Sequence, residues 1–240
     1  IASRKRDYFR LRLRYRAYDI VRRNSSGYKQ AMFHLFRLTG SAVAELKQPL
    51  KKSNPTVKGA KRVTPDLLTE IRSKLMPGDV IITRHDDALS NLFLPGYWPH
   101  AAFYMGNPDQ LKALNISTSP HSEHEIIESK KDGVKFRPLS ETLNVDSFVI
   151  MRPILSANCL SQVIQSAMSH AGKRYDFLFD FTKADRLACT ELVYRAYHGV
   201  DNLQFSLIEH SGRMCISAED LIDQMMRSKK FDTHALFTEK

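Results

Sequence analysis

No stretch of the 240-residue chain approaches the roughly 18 uninterrupted apolar residues of a membrane-spanning helix. The first residues are basic and hold no apolar run of the secretory kind. Cysteine is scarce. Cys159, Cys189 and Cys215 are an odd set at wide spacing, which supports neither a disulfide framework nor the paired CxxC pattern of a structural zinc site. There is no internal repeat and no low-complexity tract. Acidic residues are sparse at the start: residues 1–75 hold 19 Lys/Arg against 5 Asp/Glu, whereas residues 76–240 hold 17 against 21. The net charge of +10 therefore belongs to the N-terminal third.

What is present is enough for a core: hydrophobic residues make up 42% of the chain and aromatics 10%, which excludes disorder throughout. One domain plus an extension is the expected organisation. Over residues 1–23, Arg10, Arg12, Arg14 and Arg16 alternate with Phe9, Leu11, Leu13 and Tyr15 in strand fashion. A stripe of Tyr8, Leu11, Tyr15 and Tyr18 without a breaker favours a helix instead. A second helix is expected over residues 28–48, with Met32, Leu35 and Phe36 on its apolar side. A connector rich in Lys, Pro and Gly leads to Val63, so residues 1–63 form a basic, mainly helical extension and residues 64–240 the domain.

Within that domain, Thr64, Pro65 and Asp66 are an N-cap, a first-turn proline and a first-turn acid for a helix ending near Lys74. Strands are expected at Val80 to Thr83, Ala101 to Met105, Glu125 to Glu128, Val134 to Arg137 and Ser147 to Arg152. Lys131, Asp132 and Gly133 suit a hairpin between the third and fourth, because Asp-Gly tolerates positive φ. Helices follow from about Ala157 to Ala171 and from about Arg186 to His198, each stopped by a glycine. A third begins at Ser217, with Asp220 in the capping-box position. Antiparallel strands bracketed by helices make an α+β domain.

Cys189 sits on the inward face of its helix, followed by Leu192, Val193, Ala196 and Tyr197 at helical spacing. A buried structural cysteine has the same pattern. Its position in the first turn adds something: unpaired N–H groups and the positive end of the dipole stabilise a thiolate and a developing oxyanion. A thiolate nucleophile needs a base, and of nine histidines His100 stands in the rigid context Pro95-Gly96-Tyr97-Trp98-Pro99-His100, directly before the strand Ala101 to Met105. A core histidine bonded to backbone fits that place equally well. Glu128 is the candidate third group that would hold the imidazole in its reactive tautomer, with Glu123, Glu125 and Glu191 competing on spacing alone. His121 and His124 form an HxxH pair followed by Glu125, but without a second ligand cluster they read as a polar surface loop rather than a metal site. His85 has no evident role.

The run Pro77 to His85, the stretch Leu94 to Gly106 with its Trp-Pro-His, Tyr175 to Phe181, and Cys-Thr-Glu-Leu-Val-Tyr at 189–194 follow one another in an order that resembles the YiiX/YebB-like permuted papain-like cysteine amidases. These are relatives of the NlpC-type cell-wall endopeptidases, and the likeness covers about residues 64–228. It implies a circularly permuted papain-like fold, in which an antiparallel sheet or small barrel packs against helices. It also implies Cys189 as nucleophile, His100 as base, Glu128 as the polar third member, and Tyr175 near the cleft in reach of substrate or oxyanion. An aromatic that anchors a loop explains Tyr175 as well. No cofactor and no metal is implied.

The expected activity is thus hydrolysis of a small amide or peptide bond, of the cell-wall peptide or N-acyl amino acid type, through a thioester. Transfer of the acyl group to an amine or lipid is the alternative, since permuted relatives include acyltransferases and phospholipases. A non-enzymatic alternative treats the basic extension as a module for anionic membrane surfaces. It is preferred to a nucleic-acid partner because aromatic and leucine residues interleave the arginines and no nucleic-acid motif accompanies them. On that expectation, binding to anionic vesicles weakens as salt is raised and vanishes on removal of residues 1–63, as measured by co-sedimentation; unchanged binding after truncation refutes it.

Overall fold

The computed structural model describes residues 7–10, 61–86, 97–116, 124–210 and 213–238. The expected helix over residues 28–48 and most of residues 1–63 lie outside them. Residues 7–10 are helical, and Tyr8 is buried within the larger hydrophobic core, so this part of the extension packs on the domain.

Helix α1 (Pro65–Arg72) is capped by the Thr64 side chain, which accepts from the Leu67 N–H, with Pro65 in the first turn. Then β1 (Val80–Arg84), β2 (His100–Tyr104), α2 (Pro108–Ala113), β3 (Ile126–Lys130), β4 (Gly133–Arg137), α3 (Leu139–Thr142) and β5 (Ser147–Pro153) follow in order. The rest of the domain is α4 (Ala157–Met168), β6 (Arg174–Tyr175), β7 (Arg186–Leu187), α5 (Cys189–Tyr197), β8 (Ile208–His210), β9 (Arg213–Cys215), α6 (Ala218–Arg227) and β10 (Phe231–Phe237). Six strands form one antiparallel sheet in the order β10-β5-β1-β2-β3-β4. Of the two expected forms, sheet or small barrel, the described residues make an open sheet: β10 and β4 are its edges.

The strands are continuous apolar runs because both faces are covered. Alternate residues divide between two cores. Val80, Ile82, Ala101, Phe103, Ile127, Val149 and Met151 pack with residues of α4, α5 and α6. Ile81, Ala102, Tyr104, Ile126, Phe148 and Ile150 pack with Ile71, Leu75, Leu139 and Leu143 on the other side.

Several expectations are corrected in detail. The helix expected from Arg186 begins at Cys189, since Arg186 and Leu187 pair in parallel with Arg174 and Tyr175. Sequence periodicity reads through such a two-residue bridge because no breaker marks it. The helix expected to reach Ala171 ends at Met168. The long segment after Asn107 contains α2, whose Asn107 and Gln110 form a reciprocal capping box. Neither β10 nor the β8–β9 hairpin was evident in the sequence.

The Pro77-Gly78-Asp79 run starts the sheet. Gly78, at φ +89°, donates its N–H to the Tyr104 carbonyl at 2.8 Å, and its own carbonyl accepts the Tyr197 hydroxyl. Asp79 is fully buried and held by Arg152 through two bonds of 2.9 and 2.7 Å. At the hairpin, Gly133 pairs with Lys130 at φ +95°, and the Val134 N–H donates to the Lys173 carbonyl at 2.8 Å. A Cβ on Gly133 would lie 2.5 Å from that carbonyl, whereas one on Gly172, at φ +83°, meets open space.

Gly133→Ala therefore carries both the left-handed penalty and a backbone clash, and is expected to lower unfolding free energy by about 2–4 kcal/mol. Gly172→Ala carries the first penalty alone, about 1–2 kcal/mol. Urea denaturation of the two variants checks the difference; equal losses would remove the clash from the account.

Candidate active site

The sheet and α5 together assemble the site. His100 is the first residue of β2, paired with Thr83 across to β1. The turn before it is fixed by two charged side chains. Arg84 Nη1 donates to the Tyr97 carbonyl at 2.6 Å and the guanidinium carbon lies 4.3 Å from the Tyr97 ring centroid, while the Tyr97 N–H donates to Glu219 Oε2 at 2.8 Å. Glu128 lies inside β3 rather than at its end. β2 and β3 pair at Phe103–Ile127 and Tyr104–Ile126, which sets Glu128 on the strand beside the one that begins with His100.

His100 Nε2 and Glu128 Oε2 are 2.5 Å apart. Cys189 is the imidazole's other neighbour, since each of the two groups shifts the titration of the other. Cys189 is 2% exposed and is the first residue of α5. The bridge between Leu187 and Tyr175 brings the segment leading into the helix beside Tyr175, and Ser129 Oγ of β3 donates to the Leu187 carbonyl at 2.6 Å. The four residues singled out in the sequence thus converge on one place.

Electrostatics follow from that packing. Burial drives the Cys189 thiol up, but the charge and hydrogen bond of His100, with backbone N–H groups of Ala101 and Thr190, lower it below its ordinary value. Burial pulls the His100 imidazole down, and the Cys189 charge together with bonds to Cys189 and Glu128 more than reverses this, raising it to about 9. Glu128 has no exposed surface, yet it is held at about 2: against the burial penalty stand His100 and Lys130. Lys130 Nζ lies 2.7 Å from Glu128 Oε1, Arg137 Nε 3.4 Å, and the Thr142 hydroxyl donates to the same oxygen at 3.0 Å. Cys189, His100 and Glu128 form a line in which His100 favours the charged form of each neighbour and both favour its own. Tyr175 is pushed well above its ordinary range by burial and by the charges of Cys189 and Asp176, so its hydroxyl stays a donor.

The competing carboxylates are engaged elsewhere. Glu125 is bonded to Arg72 at 2.6 and 2.7 Å, and Glu191 to Arg195 and the Ala188 N–H, while Glu123 lies outside the described residues. Cys215 is raised to about 11 by burial and the Asp220 charge, and Cys159 lies in the first turn of α4. His121 is outside the described residues, and among those described no three His, Cys, Asp or Glu side chains are grouped to hold a metal ion. His85 directly follows β1. Sequence reasoning missed Lys130, Arg137 and Thr142 around Glu128. Lys130 was traceable, two residues along the same strand face, whereas Thr142 arrives through a helix turn that no spacing rule connects to β3.

A search of curated proteins finds no match. Among solved structures the fold is similar to a crystal structure described as the metalloprotein yiiX from Escherichia coli O157:H7, with a TM-score of 0.50 and 17% identity over 68% of this chain and 98% of that one. A family model described as permuted papain-like amidase enzyme, YaeF/YiiX, C92 family, matches residues 74–237. The chain belongs to that family of permuted papain-like amidases.

Proposed function

We propose that the protein is a cysteine amidohydrolase that cleaves a small amide bond, of the cell-wall peptide or N-acyl amino acid type, with Cys189 as nucleophile, His100 as general base and acid, and Glu128 as the group that orients and charges His100. The observation that carries this is the line from Cys189 through His100 to Glu128, with its 2.5 Å imidazole–carboxylate contact and a thiol lowered by the imidazolium beside it.

In this mechanism the Cys189 thiolate attacks the substrate carbonyl carbon. The backbone N–H groups at the start of α5 receive the oxyanion, and the protonated Tyr175 phenol stands at the same wall of the cleft. The Nδ1 proton of His100 passes to the leaving amine as the C–N bond breaks, which leaves a thioester on Cys189 and a neutral imidazole. That imidazole then takes a proton from water as the hydroxide oxygen adds to the thioester. Collapse expels the thiolate, releases the carboxylic acid and restores the ion pair. Glu128 keeps Nε2 as the donor side of the ring throughout.

A screen of N-acyl amino acids and peptidoglycan fragments tests the proposal. Cys189→Ala and His100→Ala should each lose at least about 1,000-fold in kcat/KM, and Glu128→Gln about 10- to 100-fold, because orientation is part of the base's task. Full turnover by Cys189→Ala would overturn it.

The pH profile gives an independent check. Activity requires the thiolate paired with protonated His100, so the alkaline limb should fall near 9, where His100 loses its proton. Glu128→Gln removes a carboxylate that raises His100, and the limb should move to lower pH. Iodoacetamide near neutral pH should alkylate Cys189 well ahead of Cys215, whose thiol is raised to about 11. Equal labelling of the two would remove Cys189 from its role.

A further inference from the structure

Glu191 follows Cys189 by two residues and has no exposed surface, yet the chemistry above makes no use of it. Its carboxylate accepts the Ala188 N–H at 3.3 Å, from the residue immediately before the nucleophile, and the Arg195 Nε–H at 2.8 Å. The same guanidinium reaches out of the helix: Arg195 Nη2 donates to the carbonyls of Phe181 and Lys183, both at 3.0 Å. One ion pair, with Glu191 buried and Arg195 partly exposed, thus joins the start of α5 to residues 176–185, which run from Tyr175 back to the nucleophile.

That segment is a wall. A cavity of about 290 Å³ is lined by Asp176, Leu178, Asp180, Lys183, Asp185 and Arg186. Arg186 and Leu187 lead directly into Cys189, and Asp176 adjoins Tyr175, so both ends of the segment lie beside the nucleophile. Within the segment, Asp176 accepts the N–H groups of Leu178 and Asp180, and Asp180 that of Thr182, while the Asp176 N–H donates to the Leu187 carbonyl at 3.2 Å. Two cross-ties to structure outside it come from arginine side chains, Arg195 from α5 and Arg213 from β9, which donates to the Leu178 carbonyl.

We propose that Glu191 and Arg195 are a latch, a pair of positioning residues that holds the 176–185 wall against the nucleophile's helix and so governs how tightly substrate is held rather than how reactive the sulfur is. This rests on the cysteine amidase assignment for the site, and it adds a control on binding that the Cys189–His100–Glu128 line does not supply. Burial pushes Glu191 up to about 7, opposed by Arg195 and reinforced by the Asp176 charge. Asp176 faces the pair from the segment after β6, and His170, beyond the end of α4, interacts with both Arg195 and Lys173. A carboxyl raised in this way is neutral below about 7 and charged above it, so the tie to Arg195 strengthens as pH rises through that value.

The test uses Glu191→Gln, which keeps shape and loses charge, and Arg195→Lys, which keeps charge and loses the fork. With an N-acyl aminoacyl fluoromethyl ketone as probe, both variants should raise the inhibition constant about three- to ten-fold at pH 8 while the limiting inactivation rate and the iodoacetamide rate at Cys189 stay within about two-fold. A fall in the limiting rate at an unchanged inhibition constant would overturn the latch. Hydrogen exchange over residues 176–185 reads it without any reaction. Divided by the intrinsic rate, exchange should be about five-fold faster in both variants at pH 8 and unchanged over β2. Wild type should likewise exchange faster at pH 6 than at pH 8, and Glu191→Gln should show no such difference. Equal exchange in all three proteins overturns the proposal. If neither variant folds, the wild-type comparison decides, and pH-independent exchange over residues 176–185 overturns it. Absence of labelling at Cys189 by either reagent, with the exchange results as expected, would instead sink the amidase assignment and leave the latch standing.

Discussion

A carboxylate without solvent, Glu128, is the constraint to which the rest of the site answers. An ionised group of this kind is costly to bury unless its oxygens are all engaged, and here four side chains from three elements meet that demand: His100 of β2, Lys130 and Arg137 of the β3–β4 hairpin, and Thr142 of α3. Each partner fixes something beyond itself. The hairpin residues tie β3 to β4, Thr142 holds the short helix that leads to β5, and His100 passes the charge on to Cys189. The sheet carries Glu128 and His100, and α5 carries Cys189. Removing the carboxylate would leave two cations facing each other and an imidazole free to choose its tautomer.

The same economy holds for the turn before His100. A turn bearing Pro99 is stiff in itself, but its direction is set by Arg84 and Glu219, which grip the carbonyl and the N–H of Tyr97 from opposite ends of the domain's sequence. The tight Gly133 corner brings Lys173 against β4, and two residues later the chain is at Tyr175. Site residues that are far apart in sequence are therefore positioned by backbone contacts, and side-chain packing fills in behind them.

Much of this was legible in the sequence, and the reasons are specific. Strands covered on both faces are apolar without interruption, so Val80-Ile81-Ile82 and Phe148-Val149-Ile150 declare themselves; Thr64-Pro65 and Ser217 with Asp220 mark helix starts through capping chemistry that acts over three residues. The convergence of Cys189, His100 and Glu128 was expected from a resemblance and not from periodicity, because no local rule joins residues 89 positions apart. What escaped was of two kinds. Short bridges such as Arg186–Leu187 have no pattern of their own and exist because Tyr175 lies alongside. Long-range polar partners such as Thr142, Arg84 and Arg195 are ordinary residues until the fold brings a buried charge to them.

The placement of β10 bears on how the chain is made. The last strand in sequence pairs with β5 at one edge of the sheet, and Phe237 stacks on Phe148 there with ring centroids 5.4 Å apart. During synthesis β1, β2, β3, β4 and β5 are all free of the ribosome before residues 231–237 emerge. Until then β5 presents a bare row of donors and acceptors flanked by Phe148, Val149 and Ile150, a template on which a neighbouring nascent chain can pair. Translation thus exposes the sheet for the time needed to add roughly 80 further residues, on the order of 4 to 16 seconds at 5–20 residues per second, and chaperone demand is concentrated in that interval.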